Sequence, residues 1–277
     1  MINAGMGLGA LSALLGAISA CGPSEVVQGP GPAPDLLVSV RAGAIAAPDS
    51  ITAGWTRIRV EEDGAGHIIV VFQLPDSATN SELASFLAAL DTARATPMPA
   101  TALGGPEVGD TGEVVIRLAP GKYVLGCVAR GAGGHRHAST GEMKALVVTE
   151  AGPARDGDEA VPHATQDVRM VDFAYVGTER WPAGSHLLRV ENRGGQDHQL
   201  RLARLRDGST LQDWVGADDP GAYATTIAGV ARLGPGADAY LQVELPRGEY
   251  VLYCLVPDAV SGRPHVALGM FRAIHVE

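Results

Sequence analysis

Cysteine is scarce in this sequence: three occur in 277 residues, at 21, 127 and 254, and so sparse and odd a set makes no disulfide framework. Charge is thin as well, at 19% of residues, and lopsided, with 31 acidic against 21 basic side chains and a formal charge of −10. No basic cluster interrupts that excess, so a nucleic-acid groove or an anionic-membrane patch has no electrostatic footing. Long helical periodicities are missing, while 36 glycines and 18 prolines punctuate the chain with almost one turn-former per five residues. That density suits short strands joined by tight turns and argues against a helical bundle. Serine-histidine-aspartate order, a glycine-rich phosphate loop and zinc-protease spacing are absent too, the glycines standing in turn contexts. What the chain has in quantity is apolar material, 46% of residues, enough for one or two cores.

Residues 4–20 are uncharged, small and apolar, and end in Ile18-Ser19-Ala20-Cys21. The stretch is too short and glycine-rich for a comfortable membrane span but suits the apolar region of a secretion signal. Its ending resembles the lipobox of bacterial lipoproteins, although such signals usually open with a basic residue and the first here is Arg41. The resemblance implies a signal peptide over 1–21, lipidation of Cys21, and a cell-envelope protein held to the membrane by its lipid alone, on the periplasmic or extracellular face. Residues 22–34 (GPSEVVQGPGPAP) read as a flexible tether.

Beyond the tether, one module is written twice. Residues 51–74 run parallel to 181–205, so that Ala53-Gly54 matches Ala183-Gly184, Arg59-Val60 matches Arg189-Val190 and His67 matches His198. Further on, GKYVLGC (121–127) matches GEYVLYC (248–254) without a gap. Modules at 35–150 and 166–277 follow, joined by an acidic, proline-containing linker at 151–165. Short apolar runs bounded by turns such as Ala119-Pro120-Gly121 and Pro246-Arg247-Gly248 predict strands, and each module adds one helical insertion. Asn80 or Ser81 is expected to cap the first, with Leu83, Phe86, Leu87 and Leu90 on one face; Ser209 is expected to cap the second, TLQDWVGA. The fold class is all-β, two tandem Greek-key β-sandwiches.

The chemistry gathers at the module ends. A strand delivers Cys254, a turn-rich loop follows, His265 and Met270 precede the last strand, and His198 opens a strand far upstream. Two imidazoles, a thiolate and a thioether suit a copper ion cycling between its oxidation states, and a sandwich pole can present all four. Each module resembles a cupredoxin domain, the fold of plastocyanin-like and azurin-like proteins. That resemblance implies His198, Cys254 and His265 as equatorial copper ligands and Met270 as the axial one; His265, being in the loop, is the expected exit for the electron, beside an apolar surface of Pro264, Val266, Ala267 and Leu268. The ten residues between Cys254 and His265 resemble the longer loop of copper nitrite reductases.

In the first module His67, Cys127 and His137 stand at matching positions. Aligning Gly141 with Gly269 puts Glu142 in the axial place and Met143 one residue later, so either is a candidate there; His135 is a further possible donor. One copper in the second module, with none in the first, is the expectation. A multicopper oxidase or nitrite reductase would need several His-x-His pairs and a histidine beside the cysteine, where Tyr253 and Gly126 stand, so a non-enzymatic electron carrier is expected. Its partners would be a redox protein or a copper donor or acceptor. A copper-free binding or assembly module and a copper storage or delivery protein are the alternatives.

Overall fold

A computed structural model describes residues 35–79, 82, 100–107, 113–151 and 162–277, apart from 42, 63, 65 and 132. The signal, Cys21, the tether, nearly all of the helical insertion at Asn80 and most of the linker lie outside the described residues.

The first half contributes β1 (Asp35–Arg41), β2 (Ala44–Ala46), β3 (Ser50–Thr52), β4 (Gly54–Glu62), β5 (Ile69–Leu74), β6 (Thr101–Ala102), β7 (Glu113–Leu118), β8 (Gly121–Cys127) and β9 (Met143–Thr149). The second contributes β10 (Gln166–Val171), β11 (Ala174–Val176), β12 (Arg180–Trp181), β13 (Gly184–Asn192), β14 (His198–Leu205), β15 (Ala224–Leu233), β16 (Asp238–Leu245), β17 (Gly248–Tyr253) and β18 (Phe271–Val276). Matching strands occupy matching places. One sheet of each half runs β2-β1-β4-β7 or β11-β10-β13-β16, and the facing sheet runs β3-β9-β8-β5-β6 or β12-β18-β17-β14-β15.

Burial follows from the side-chain pattern. In β1 the alternation of DLLVSVR turns Leu36, Val38 and Val40 inward, while β8 is central, covered on both faces, and reads as a continuous apolar run. The repeated G-x-Y motif has a mechanical cause. The hydroxyl of Tyr123 donates to the carbonyl of Ala119 at 2.7 Å and that of Tyr250 to Pro246 at 2.6 Å, pinning the turn that leads into each cysteine strand.

The halves are fused rather than strung together. Strand β7 pairs antiparallel with β16, Val114 opposite Leu241 and Val115 opposite Tyr240, so two four-stranded sheets become one of eight. Val114 and Leu241 are equivalent positions of the two repeats, which makes this contact isologous, like the two-fold interface of a homodimer. A second seam joins the facing sheets. The backbone at Leu103 and Pro106 bridges to Leu233 and Val230, and the Ala231 N–H donates to the Gly105 carbonyl at 2.8 Å. One buried apolar cluster runs through both halves.

The α-helix of the second half, α1 (Leu211–Val215), is capped by Thr210 rather than Ser209. Asp213, three residues on, completes a reciprocal capping box that only Thr210 is spaced to make. Trp214 from α1 packs edge-on against Tyr253 and Phe271, beside the strand that leads to Cys254.

Candidate metal centres

At one pole of the second sandwich, His198 opens β14, Cys254 follows β17, His265 starts a 3₁₀ turn (His265–Leu268) and Met270 immediately precedes β18. The long loop reaches this place because it folds back on itself. Pro257 bridges Pro264, the Asp258 N–H donates to the Arg263 carbonyl, and the His265 N–H donates to the Val256 carbonyl. Asp258 is the internal brace. Its carboxylate accepts the Ser261 N–H and hydroxyl and the Gln196 side-chain N–H, and these bonds hold its pKa well below the usual carboxylate range. Met270 is fully buried; its N–H donates to the His265 carbonyl and its carbonyl accepts from Cys254.

The donor atoms converge. His198 Nδ1 lies 3.0 Å from His265 Nδ1, and Cys254 Sγ lies 3.5 Å from the latter; all three side chains are fully buried. The Gln199 N–H points at the sulfur from 3.4 Å. Burial lowers the basicity of both imidazoles, that of His265 to about 4, where the neighbouring His198 adds to the effect. Both are therefore neutral near pH 7. Burial also pushes the Cys254 thiol up to about 12, so a cation must displace its proton.

Asp172 sets the tautomer. Its Oδ1 lies 2.9 Å from His198 Nε2, which donates to it and leaves the Nδ1 lone pair facing the pocket. Burial works against this carboxylate, but the bonds from His198 and from the Gly195 and Gln196 N–H groups outweigh it and keep it ionised. Gly194 makes the arrangement possible, because a Cβ there would sit 2.5 Å from Asp172 Oδ1 and 2.6 Å from His198 Nε2. Next to Asp172, Phe173 adopts φ +64° and lays its ring edge-on to His265 at 5.3 Å. The histidine expected to be the electron's exit is thus buried, covered by a ring from a turn that the apolar pattern gave no reason to place there.

The residues fit a cation. A neutral His265 that puts its proton on Nε2 leaves two lone pairs facing each other at 3.0 Å; one that puts it on Nδ1 leaves Nε2 buried, and Nε2 has no hydrogen-bond partner. An ion taking both Nδ1 lone pairs removes the first conflict.

The first sandwich repeats the arrangement with one change. His67 Nδ1 and His137 Nδ1 are 3.4 Å apart, Cys127 Sγ lies 3.6 and 3.5 Å from them, and Glu142 Oε2 lies 2.8 and 3.1 Å from them. Backbone bonding identifies Glu142 as the counterpart of Met270: its N–H donates to the His137 carbonyl and its carbonyl accepts from Cys127. Met143 pairs with Gly126 as Phe271 pairs with Tyr253, so of the two candidates it is Glu142 that the group includes.

Among the described residues no third group of His, Cys, Asp and Glu donors gathers in this way. His135 and His163 are exposed, His186 is tied to Thr165 and Pro182, and His275 faces Glu249. Asp172 and Phe173 carry no period or motif that marks them. Their one signal is a difference between the repeats, since Gly43 stands in the place of Phe173 in the first.

No family model matches the sequence, and no curated protein matches it. Among solved structures it is similar to an auracyanin from Roseiflexus castenholzii, at 19% identity and TM-score 0.29 over 40% of this chain and 94% of that one. It is also similar to a copper-containing nitrite reductase from Thermus scotoductus, at 13% identity and TM-score 0.23 over 88% of this chain and 61% of the other. A blue copper oxidase from Nitrosomonas europaea matches at 12% and 0.23 over 87% and 85%. The donor geometry, rather than these overlays, carries the chemistry. Each half of this all-β chain holds a His-Cys-His group whose donor atoms lie close enough together to hold a metal ion.

Proposed function

We propose that the chain carries single electrons through one copper ion held by His198, Cys254, His265 and Met270, in an envelope protein tethered through a lipid on Cys21. The observation that supports this most is the pair of neutral, fully buried imidazoles whose Nδ1 atoms face each other at 3.0 Å beside a buried thiol. Copper, when bound, supplies exchange of one electron between its two oxidation states. The protein supplies rigidity: strands β14 and β17, the braced loop and the Asp172 bond fix the donors, so that little moves when the charge changes. Phe173 and the buried walls keep water out. Val266 and Ala267, the two residues that follow His265, line an apolar cavity of about 460 Å³ with Trp214, Tyr253, Leu255 and Phe271, an apolar face for electron exchange next to the site.

A carrier is favoured over an oxidase or reductase because both donor groups of the described residues are single-ion groups, and neither cysteine is preceded by a histidine that would lead to a second centre. The test is direct. Copper(II) added to the protein should give an intense thiolate-to-copper colour that bleaches with a one-electron reductant and returns on oxidation, and Cys254→Ser should lose it. A protein that takes up no copper sinks the proposal, and tight uptake without colour favours storage or delivery. The anchor is tested separately, by incorporation of a labelled fatty acid that Cys21→Ser abolishes.

A further inference from the structure

The first donor group differs from the second in its charge and in its cover. Where the second has Met270, the first has Glu142, 3% exposed, with Oε2 against both imidazoles. Where Phe173 covers His265, the equivalent turn position is Gly43, at φ +77°, and a Cβ there would lie 4.0 Å from Glu142 Oε1. His137 is correspondingly 24% exposed on its side chain.

We propose that the N-terminal half holds a divalent, redox-silent metal ion, zinc(II), at His67 Nδ1, Cys127 Sγ, His137 Nδ1 and Glu142 Oε2. Geometry is the first support. Metal–nitrogen bonds of about 2.0–2.1 Å and a metal–sulfur bond of about 2.3 Å, arranged tetrahedrally, set N···N near 3.4 Å and N···S near 3.5 Å. The corresponding separations here are 3.4, 3.5 and 3.6 Å. The carboxylate oxygen stands closer to the imidazoles, at hydrogen-bonding distance, and has to withdraw by about half an ångström to complete the tetrahedron.

Charge is the second support, and it decides the oxidation state. A thiolate and a carboxylate neutralise a divalent ion, whereas a monovalent ion leaves one negative charge uncompensated in a largely buried site. At the second group the single thiolate neutralises copper(I) and leaves copper(II) one charge in excess, so both states are within reach. Exchanging a thioether for a carboxylate therefore fixes the ion as divalent. It also replaces a soft donor with a hard one, and a tetrahedral N2SO set suits zinc, which has no d-electron preference, better than the tetragonal geometry copper(II) favours. The missing aromatic cover agrees, because a site that does not cycle electrons has no need to exclude water.

The test uses the Cys254→Ser chain, with His265→Gln in reserve should that variant not fold; circular dichroism checks the fold of each. Zinc chloride titrated against a chromophoric chelator should load one ion per chain. Glu142→Gln, nearly isosteric, should weaken binding at least tenfold and Cys127→Ser should abolish it. Cobalt(II) as a probe should give the strong visible bands of a tetrahedral thiolate site. Copper(II) forced into the same site should resist reductants that bleach the C-terminal centre. Absence of zinc uptake by the folded chain, equal affinity in Glu142→Gln, or ready reduction of copper at this site would each overturn the proposal, the first leaving Glu142 as a hydrogen-bonded partner of two histidines only. The zinc and cobalt readouts do not depend on copper at Cys254, so the two centres stand or fall separately.

Discussion

Asp172 does its work one bond removed from the metal. It donates nothing to the pocket, yet its contact with His198 Nε2 decides which ring nitrogen keeps a lone pair there. Asp172→Ala is expected to lower copper affinity about 10–100-fold, the usual effect of losing such an orienting partner, read by chelator competition. Gly194→Ala should reproduce that loss without touching either residue chemically, since its methyl would occupy the space between them, and should lower stability by about 1–3 kcal/mol. The thiol gives a second expectation. With Cys254 raised to about 12 and both histidines neutral, copper uptake releases one proton, so apparent affinity should climb about tenfold per pH unit between pH 7 and 9. A flat profile would mean the sulfur is not a ligand. At this scale the gathering of His198, Cys254 and His265 was legible, because the donor set and its order are chemically specific. Asp172 and Phe173 were not, because a turn residue's partner lies 26 and 92 positions away and leaves no period in the sequence.

Among the elements, the segment running from β6 to Glu107 ties the two halves together. Glu107 leaves the first half, is 3% exposed against β15, and sets its carboxylate 3.0 Å from Arg201 Nε of the second half. Gly229 admits it, since a Cβ there would meet the Glu107 Cβ at 2.7 Å. Burial raises the pKa of Glu107 to about 7, and Arg201 and Gln199 only partly oppose the shift. The sign follows from linkage: the folded chain holds this proton more tightly than the unfolded chain, so the stabilisation is complete below about pH 4.5 and is lost as pH rises through 7. Glu107→Gln should remove a fall on the order of 2–3 kcal/mol between pH 5 and pH 8 from the urea-unfolding profile. An unchanged profile would place the proton elsewhere. Strands were legible at this scale wherever one face is buried, as in β1, and the G-x-Y turns announced the cysteine strands. The helix cap was misplaced by one residue because Ser209 and Thr210 are both good caps, and only the spacing to Asp213 separates them.

As a whole molecule the chain behaves like a two-fold dimer whose subunits are joined in sequence. The repeat was plain from matched residues, and the matching strand orders of the two halves follow from it. The shared eight-stranded sheet was not legible, because the pairing of Val114-Val115 with Tyr240-Leu241 rests on backbone hydrogen bonds, and an apolar edge strand reads the same whether its neighbour is solvent or another strand. Fusion has a thermodynamic consequence: with a common sheet and one core cluster through both halves, metal-free protein should melt in a single cooperative transition. Leu241→Ala at the centre of the seam should lower its stability by about 2–5 kcal/mol without splitting it. Two resolved calorimetric transitions would show that the halves fold independently. Fusion also holds the two metal groups in a fixed frame, so loading one should leave the other's donors in place.

The most direct measurement of the central claim is copper X-ray absorption on protein loaded with one equivalent. Copper should be bound by two imidazole nitrogens and one sulfur at short range, with the sulfur lost in Cys254→Ser and retained in Cys127→Ser. A copper environment without sulfur, or one whose sulfur disappears in Cys127→Ser and survives in Cys254→Ser, would contradict the assignment of the electron-carrying site to His198, Cys254, His265 and Met270.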